Sequence, residues 1–172
     1  YKRQMTKFAI KYALLFLLLV PAQAIVFNHL ILFDVAVPVV FIYLIVMLPV
    51  TIGTNLSTFL GFLAGLSVDM FCDTPGVNAL CATTLAFARK PVFHLYVSMD
   101  DDLAGRSPSS RTMGHGAFMK FLVTMTTIYC AMVFTVEAFQ FFNFRLLLLR
   151  IVASTAYTFI LLYAVDCLSL RS

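Results

Sequence analysis

Tryptophan is absent and charge is scarce: only 12% of the 172 residues are charged, while 62% are hydrophobic. A soluble domain carries about 25% charged and roughly 45–50% apolar residues. So little charge cannot cover a water-facing surface, and a soluble chain this apolar would expose patches that aggregate. Acidic residues number 8, too few and too scattered for a proton relay. The 4 cysteines, Cys72, Cys81, Cys130 and Cys167, form no CxxC pair. Each lies in or beside an apolar run and reads as a small packing residue. His29, His94 and His115 are far apart and give no metal-ligand spacing. No P-loop, GxGxxG or HExxH is present, and no serine has a histidine and a carboxylate orienter in a recognisable order. The expectation is a non-enzymatic chain with no cofactor and no metal.

What is abundant is long apolar sequence, with a mean hydropathy of +0.96. A transmembrane helix needs roughly 20 mostly apolar residues. Six runs qualify: about 5–27, 32–50, 52–71, 76–98, 114–138 and 146–168. The expected fold is all-α and integral to the membrane, a bundle of about six transmembrane helices forming one membrane domain. Pro49 and Gly53 break the second run from the third, so those two should form a tight hairpin. The first run ends Pro21-Ala22-Gln23-Ala24, which resembles a leader with a small-residue cleavage site. The apolar run continues through Ile25, Val26 and Phe27, so it reads as the first membrane helix. The polar stretch 99–113, rich in Asp, Ser, Arg, Gly and Pro, reads as a loop. The 18 phenylalanines read as core and lipid-facing bulk.

The net charge is +4, but the basic residues form no nucleic-acid stripe. They cluster at the ends of apolar runs. Lys2, Arg3, Lys7, Arg89, Lys90, Arg106, Arg111, Lys120 and Arg171 fall on one side of a six-helix topology. The other side has little beyond Arg145 and Arg150. The excess of Lys and Arg places both termini in the cytoplasm. Asp100, Asp101 and Asp102 do not overturn this, because acidic residues count little in that rule.

In the run 52–71, Gly53, Ser57, Gly61, Gly65 and Asp69 recur every four residues. Small residues let membrane helices approach closely. A four-residue repeat drifts about 40° per step around a helix, so the stripe winds and can touch more than one neighbour. It reads either as internal packing or as a docking face for another membrane protein. Asp69, near the end of that helix, either reaches water, caps a neighbouring helix or serves a partner. In the turn that follows, Asp73 can cap the next helix, with Pro75 in its first turn and Gly76 relaxing the backbone. The candidate partner-binding set is therefore Gly53, Ser57, Gly61, Gly65, Asp69, Asp73, Gly76 and Asn78. Glu137 and Arg150 flank the last interhelical turn at similar depth and are a candidate structural ion pair.

The stretch from Gly61 to Leu80, with Gly61, Gly65, Asp69, Gly76 and Ala79 at the matching positions, resembles the central signature of the rod shape-determining MreD family. The Asp73-Thr74-Pro75-Gly76 turn and the run Ala86-Phe87-Ala88-Arg89-Lys90-Pro91 look most like Bacteroidota members. The specific part covers about 30 residues; the rest agrees in hydropathy only. The resemblance implies a membrane scaffold of the elongasome in the bacterial inner membrane. The implied partners are MreC directly, and MreB, RodA and its penicillin-binding transpeptidase indirectly. The implied fold resembles the substrate-binding component of energy-coupling-factor transporters. The lack of tryptophan departs from many family members; Tyr43, Tyr96, Tyr129 and Tyr163 can serve as interfacial anchors instead.

Two other functions compete. A vitamin-type transporter subunit needs polar groups converging on a midplane cavity. Asn55, Ser57, Thr83, Thr84, Thr124, Thr126, Ser154 and Thr155 are the candidates for that. A lipid-modifying enzyme needs an acid–base set, and none is visible.

Overall fold

In a computed structural model of the chain, the described residues are 2–27, 37–72, 74, 76–97, 108–138 and 144–171; of these, 2–9, 11, 26–27, 111, 138 and 168–171 are described by backbone alone. The expected roles of Asp73, Pro75 and Asp100–Asp102 lie outside the described residues. The fold is all-helical among the described residues. Helix α1 (Lys2–Ala22) runs into a π-helical turn at Gln23–Phe27. It is followed by α2 (Tyr43–Val46), α3 (Thr54–Cys72), α4 (Val77–Tyr96), α5 (Ser110–Met113), α6 (His115–Ala138) and α7 (Phe144–Arg171). Thr54–Cys72, His115–Glu137 and Phe144–Cys167 are each long and apolar enough to cross a membrane.

The helix expected over 32–50 is corrected in its described part. Residues 37–40 are irregular, and only Tyr43–Val46 is α-helical. Around it the turns are tightened by bonds from the Tyr43, Leu44 and Ile45 amides to the Val40, Phe41 and Ile42 carbonyls, the three-residue pattern of a 3₁₀ helix. Two features account for it: Pro38 has no N–H and disfavours a helix running into it, and the Val37, Val39 and Val40 amides are taken by side chains of other elements instead of a helical ladder. Hydropathy is blind to this, and the segment remains the most deeply buried in the protein: Phe41, Ile42, Leu44, Ile45 and Val46 are all 0% exposed.

That segment is the core around which the helices stand. α3 packs on α4, α4 on α6 and α6 on α7, while α1 touches α3 and α2. The Phe41 ring meets Tyr129 of α6 edge-on, with centroids 5.6 Å apart, and Phe93 of α4 meets Phe121 of α6 in the same way at 5.9 Å. Pro21 explains the π turn that ends α1: it removes one helical donor, and such insertions relieve the strain. The loop expected over 99–113 is helical at its end. There Ser109 and Thr112 form a capping box for α5, and Ser110 Oγ donates to Asp166 Oδ2 of α7 at 2.7 Å. Many exposed side chains of α1 and α7, among them Leu14, Leu17, Leu149, Val152 and Ile160, are apolar.

Candidate functional site

The stripe of small residues faces α4 of its own chain. A Cβ on Gly61 would lie 2.7 Å from Ala86 Cβ and 2.8 Å from the Ala82 carbonyl oxygen. A Cβ on Gly65 would collide with the Asn78 carbonyl and lie 2.6 Å from Ala79 Cα. The two backbones touch wherever a side chain is missing, as small-residue packing in membranes requires. Ser57 and Asp69 are buried on the same side. Gly53 is exposed, in the turn before α3, and has no neighbour in this close packing. Of the two readings of the stripe, internal packing is the one present. A docking face on Gly61, Gly65 and Asp69 is corrected accordingly, because α4 already covers them.

Asp69 ends the stripe and joins the two helices. α4 begins after Gly76, whose φ of 79° is left-handed and which has no side chain to cap the helix. The first amides of a helix lack partners within it, and water cannot supply them within a bilayer. Asp69 supplies them from α3. Its Oδ2 accepts the Ala79 amide at 2.7 Å, and its Oδ1 accepts the Asn78 amide at 3.1 Å. The Asn78 side-chain amide and the Thr74 hydroxyl donate to Oδ1 as well. Asn78 in turn accepts the Tyr129 hydroxyl of α6 at 2.6 Å. The carboxylate also faces the positive end of the α4 dipole. One buried charge thus ties α3, the turn, α4 and α6 together.

A second polar cluster holds the irregular segment. Gln23, in the π turn, donates to the Pro38 carbonyl at 2.9 Å and accepts the Val40 amide at 2.7 Å. Ser154 and Thr158, one turn apart on α7, accept the amides of Val37 and Val39, each at 3.0 Å. Buried non-helical backbone persists only where its polar groups are satisfied, and here the π turn and α7 do so from two sides. Sequence reasoning missed Gln23 and Thr158. The available signal was a proline inside an apolar run, together with an isolated glutamine and a Ser/Thr pair at helical spacing. Of the other hydroxyls weighed as ligand groups, Thr83, Thr84, Thr124 and Thr126 donate to carbonyls of their own helices.

Glu137 and Arg150 do not meet as a contact pair. Glu137 is exposed and feels the Arg150 charge at a distance, while Arg150 Nε is buried without a hydrogen-bond partner. The two side chains make no contact, so the expected pair is corrected to a long-range attraction. Between the two polar clusters lies a cavity of about 110 Å³, lined by Gln23, Val39, Val68, Asn78, Tyr129 and Glu137 among others. No group of His, Cys, Asp and Glu able to hold a metal occurs among the described residues.

The fold defines a class: an all-helical protein with helices fit to cross a membrane, built around an irregular buried segment. Comparison adds no closer identity, since no protein-family model, no curated protein and no solved structure matches the chain.

Proposed function

We propose that the chain is a multi-pass inner-membrane scaffold of the elongasome, of the MreD kind, which binds MreC and through it organises side-wall peptidoglycan synthesis and rod shape. One observation carries the reading. Gly61, Gly65, Asp69, Gly76 and Ala79, the residues on which the resemblance rests, all serve one junction that fixes α3 against α4. A family signature spent on rigidity suits a protein whose task is to present fixed helix faces to others. In this reading α1, the segment 37–48, α3, α4, α6 and α7 cross the bilayer, both termini are cytoplasmic, and the exposed apolar sides of α1 and α7 meet lipid or MreC. MreB, RodA and its penicillin-binding transpeptidase are reached through MreC.

The transporter reading, with its likeness to energy-coupling-factor components, finds less support among the described residues. A small-molecule site occupies roughly 300–1,000 Å³, and the cavity beside Gln23 and Asn78 is about 110 Å³. Both ends of those two amides are bonded within the protein. Depleting the chain in its own host should round the cells and disperse side-wall labelling by a fluorescent D-amino acid. Rods with unchanged side-wall labelling after depletion would sink the proposal.

A further inference from the structure

The cavity between the two polar clusters carries one carboxylate among its described lining residues, and that group stands at its rim. The cavity measures about 110 Å³. Its described lining residues are buried or half-buried except Glu137, which is exposed. Glu137 also ends the membrane-length stretch His115–Glu137 of α6. A stretch that just spans the hydrocarbon core ends at the depth of the lipid headgroups. The cavity therefore leads inward from that depth, with a negative charge where a ligand would enter.

The other polar groups on this wall have largely spent their hydrogens. The Thr74 hydroxyl donates to Asp69, the Asn78 side-chain amide donates to Asp69 and Thr74, and the Tyr129 hydroxyl donates to Asn78. Gln23 gives one of its two side-chain N–H groups to the Pro38 carbonyl. A hydroxyl has two lone pairs, so Tyr129 Oη can still accept, as can both oxygens of Glu137. Val39, Val68, Val133 and Phe134 add apolar surface, and the rings of Phe134 and Tyr129 attract cations to their faces. An anion would find almost no donor here. The complement of this wall is a cation rich in N–H groups on a short apolar stem, and a primary ammonium has three such donors. Size sets a limit as well: a cavity of about 150 Å³ holds a benzene ring, so this one takes a group somewhat smaller.

We propose that the cavity binds a primary ammonium group on a short stem, with Glu137 as its counter-charge and Tyr129 Oη as a second acceptor. The group is either a free small alkylamine or the ethanolammonium of a phosphatidylethanolamine headgroup; the recognition chemistry is the same. The site is independent of the scaffold proposal, and its test does not involve MreC.

The test uses the full chain, stripped of lipid in a maltoside detergent at neutral pH, where a primary amine is protonated. Thermal unfolding is followed at constant ionic strength while tetramethylammonium chloride, which carries the charge without an N–H, is replaced by ethanolammonium chloride. In a parallel series phosphatidylethanolamine or phosphatidylcholine is added in tetramethylammonium chloride alone, and retained lipid is counted by native mass spectrometry. A midpoint that rises with ethanolammonium identifies a site open to free amines. A midpoint that rises with phosphatidylethanolamine, but with neither ethanolammonium nor phosphatidylcholine, and with one lipid retained, identifies the headgroup. In either case Glu137→Gln, an isosteric change at an exposed position, should raise the half-saturating concentration roughly tenfold or more, as loss of one hydrogen bond to a charged group predicts. Val133→Phe, which fills the cavity and keeps the carboxylate, should abolish the response. Equal wild-type stability in all conditions overturns the site, and so does an effect of phosphatidylethanolamine that phosphatidylcholine matches while ethanolammonium does nothing. A folded Glu137→Gln protein with unchanged half-saturation, or a folded Val133→Phe protein that responds like wild type, overturns it equally.

Discussion

A carboxylate beneath the surface of a membrane protein is tolerated when its lone pairs are engaged and its charge is met. Asp69 satisfies both conditions, with two backbone amides, two side-chain donors and the positive end of α4 around it. Asp69→Asn keeps the shape but turns one oxygen into a donor that faces another donor. Its cost should be about 2–3 kcal/mol, the usual penalty for a buried group left unsatisfied. Reversible unfolding by sodium dodecyl sulfate in mixed micelles measures this; a variant as stable as wild type would show that the cap contributes nothing. Removing the hydroxyls at Ser154 and Thr158 (Ser154→Ala with Thr158→Val) leaves the Val37 and Val39 amides bare. Hydrogen exchange at those two amides should accelerate, and stability should fall by roughly 2–4 kcal/mol. Unchanged exchange would mean that those amides are held by something else. At this scale the sequence was half legible. Asp69 stands out because it is ionisable and closes a small-residue stripe. Its donors could not be read, because capping across helices depends on which helix end lies beside it. Gln23 passed unnoticed because its partners, Pro38 and Val40, lie across a turn of unknown path.

α3 and α4 lie in contact because glycine lets them. Gly65→Ala pushes a methyl group into the Ala79 backbone, and Gly61→Ala pushes one against Ala86. Backbone cannot rotate aside as a side chain can, so each substitution should cost about 1–3 kcal/mol, the range for overpacking. Gly53→Ala, with nothing near it, is the internal control and should be nearly neutral. If all three behave alike in the same unfolding assay, close approach is not what holds the hairpin. For α6 and α7 the account predicts little coupling. The double-mutant cycle of Glu137→Ala and Arg150→Ala should be additive within about 0.5 kcal/mol, because the two side chains make no contact. A coupling several times larger would restore the ion pair. Helices showed clearly in hydropathy wherever the backbone could remain helical. The runs 52–71, 76–98, 114–138 and 146–168 correspond to α3, α4, α6 and α7, with ends shifted by a few residues. The run 32–50 misled because apolar composition reports burial, whereas Pro38 and the hydrogen-bonding side chains of Gln23, Ser154 and Thr158 decide backbone geometry.

Taken whole, the molecule spends its few polar residues on itself. Asp69, Gln23, Ser154 and Thr158 close backbone groups inside the bundle, and Asn78 links Asp69 to Tyr129. Much of the outward surface among the described residues is apolar helix, with large exposed apolar side chains on α1 and α7 among others. Such a protein acts through the faces that its rigid interior presents. That suits the proposed role, an elongasome scaffold that binds MreC. Its most direct test is to co-express the chain with MreC from the same organism, extract both in mild detergent, and determine the mass of the purified species. The account predicts a stable complex. Bulky substitutions on the exposed faces, such as Leu17→Trp or Val152→Trp, should weaken it while the chain stays folded, and Gly65→Ala should weaken it only as far as it unfolds the chain. A well-folded wild-type chain that purifies without MreC would contradict the claim.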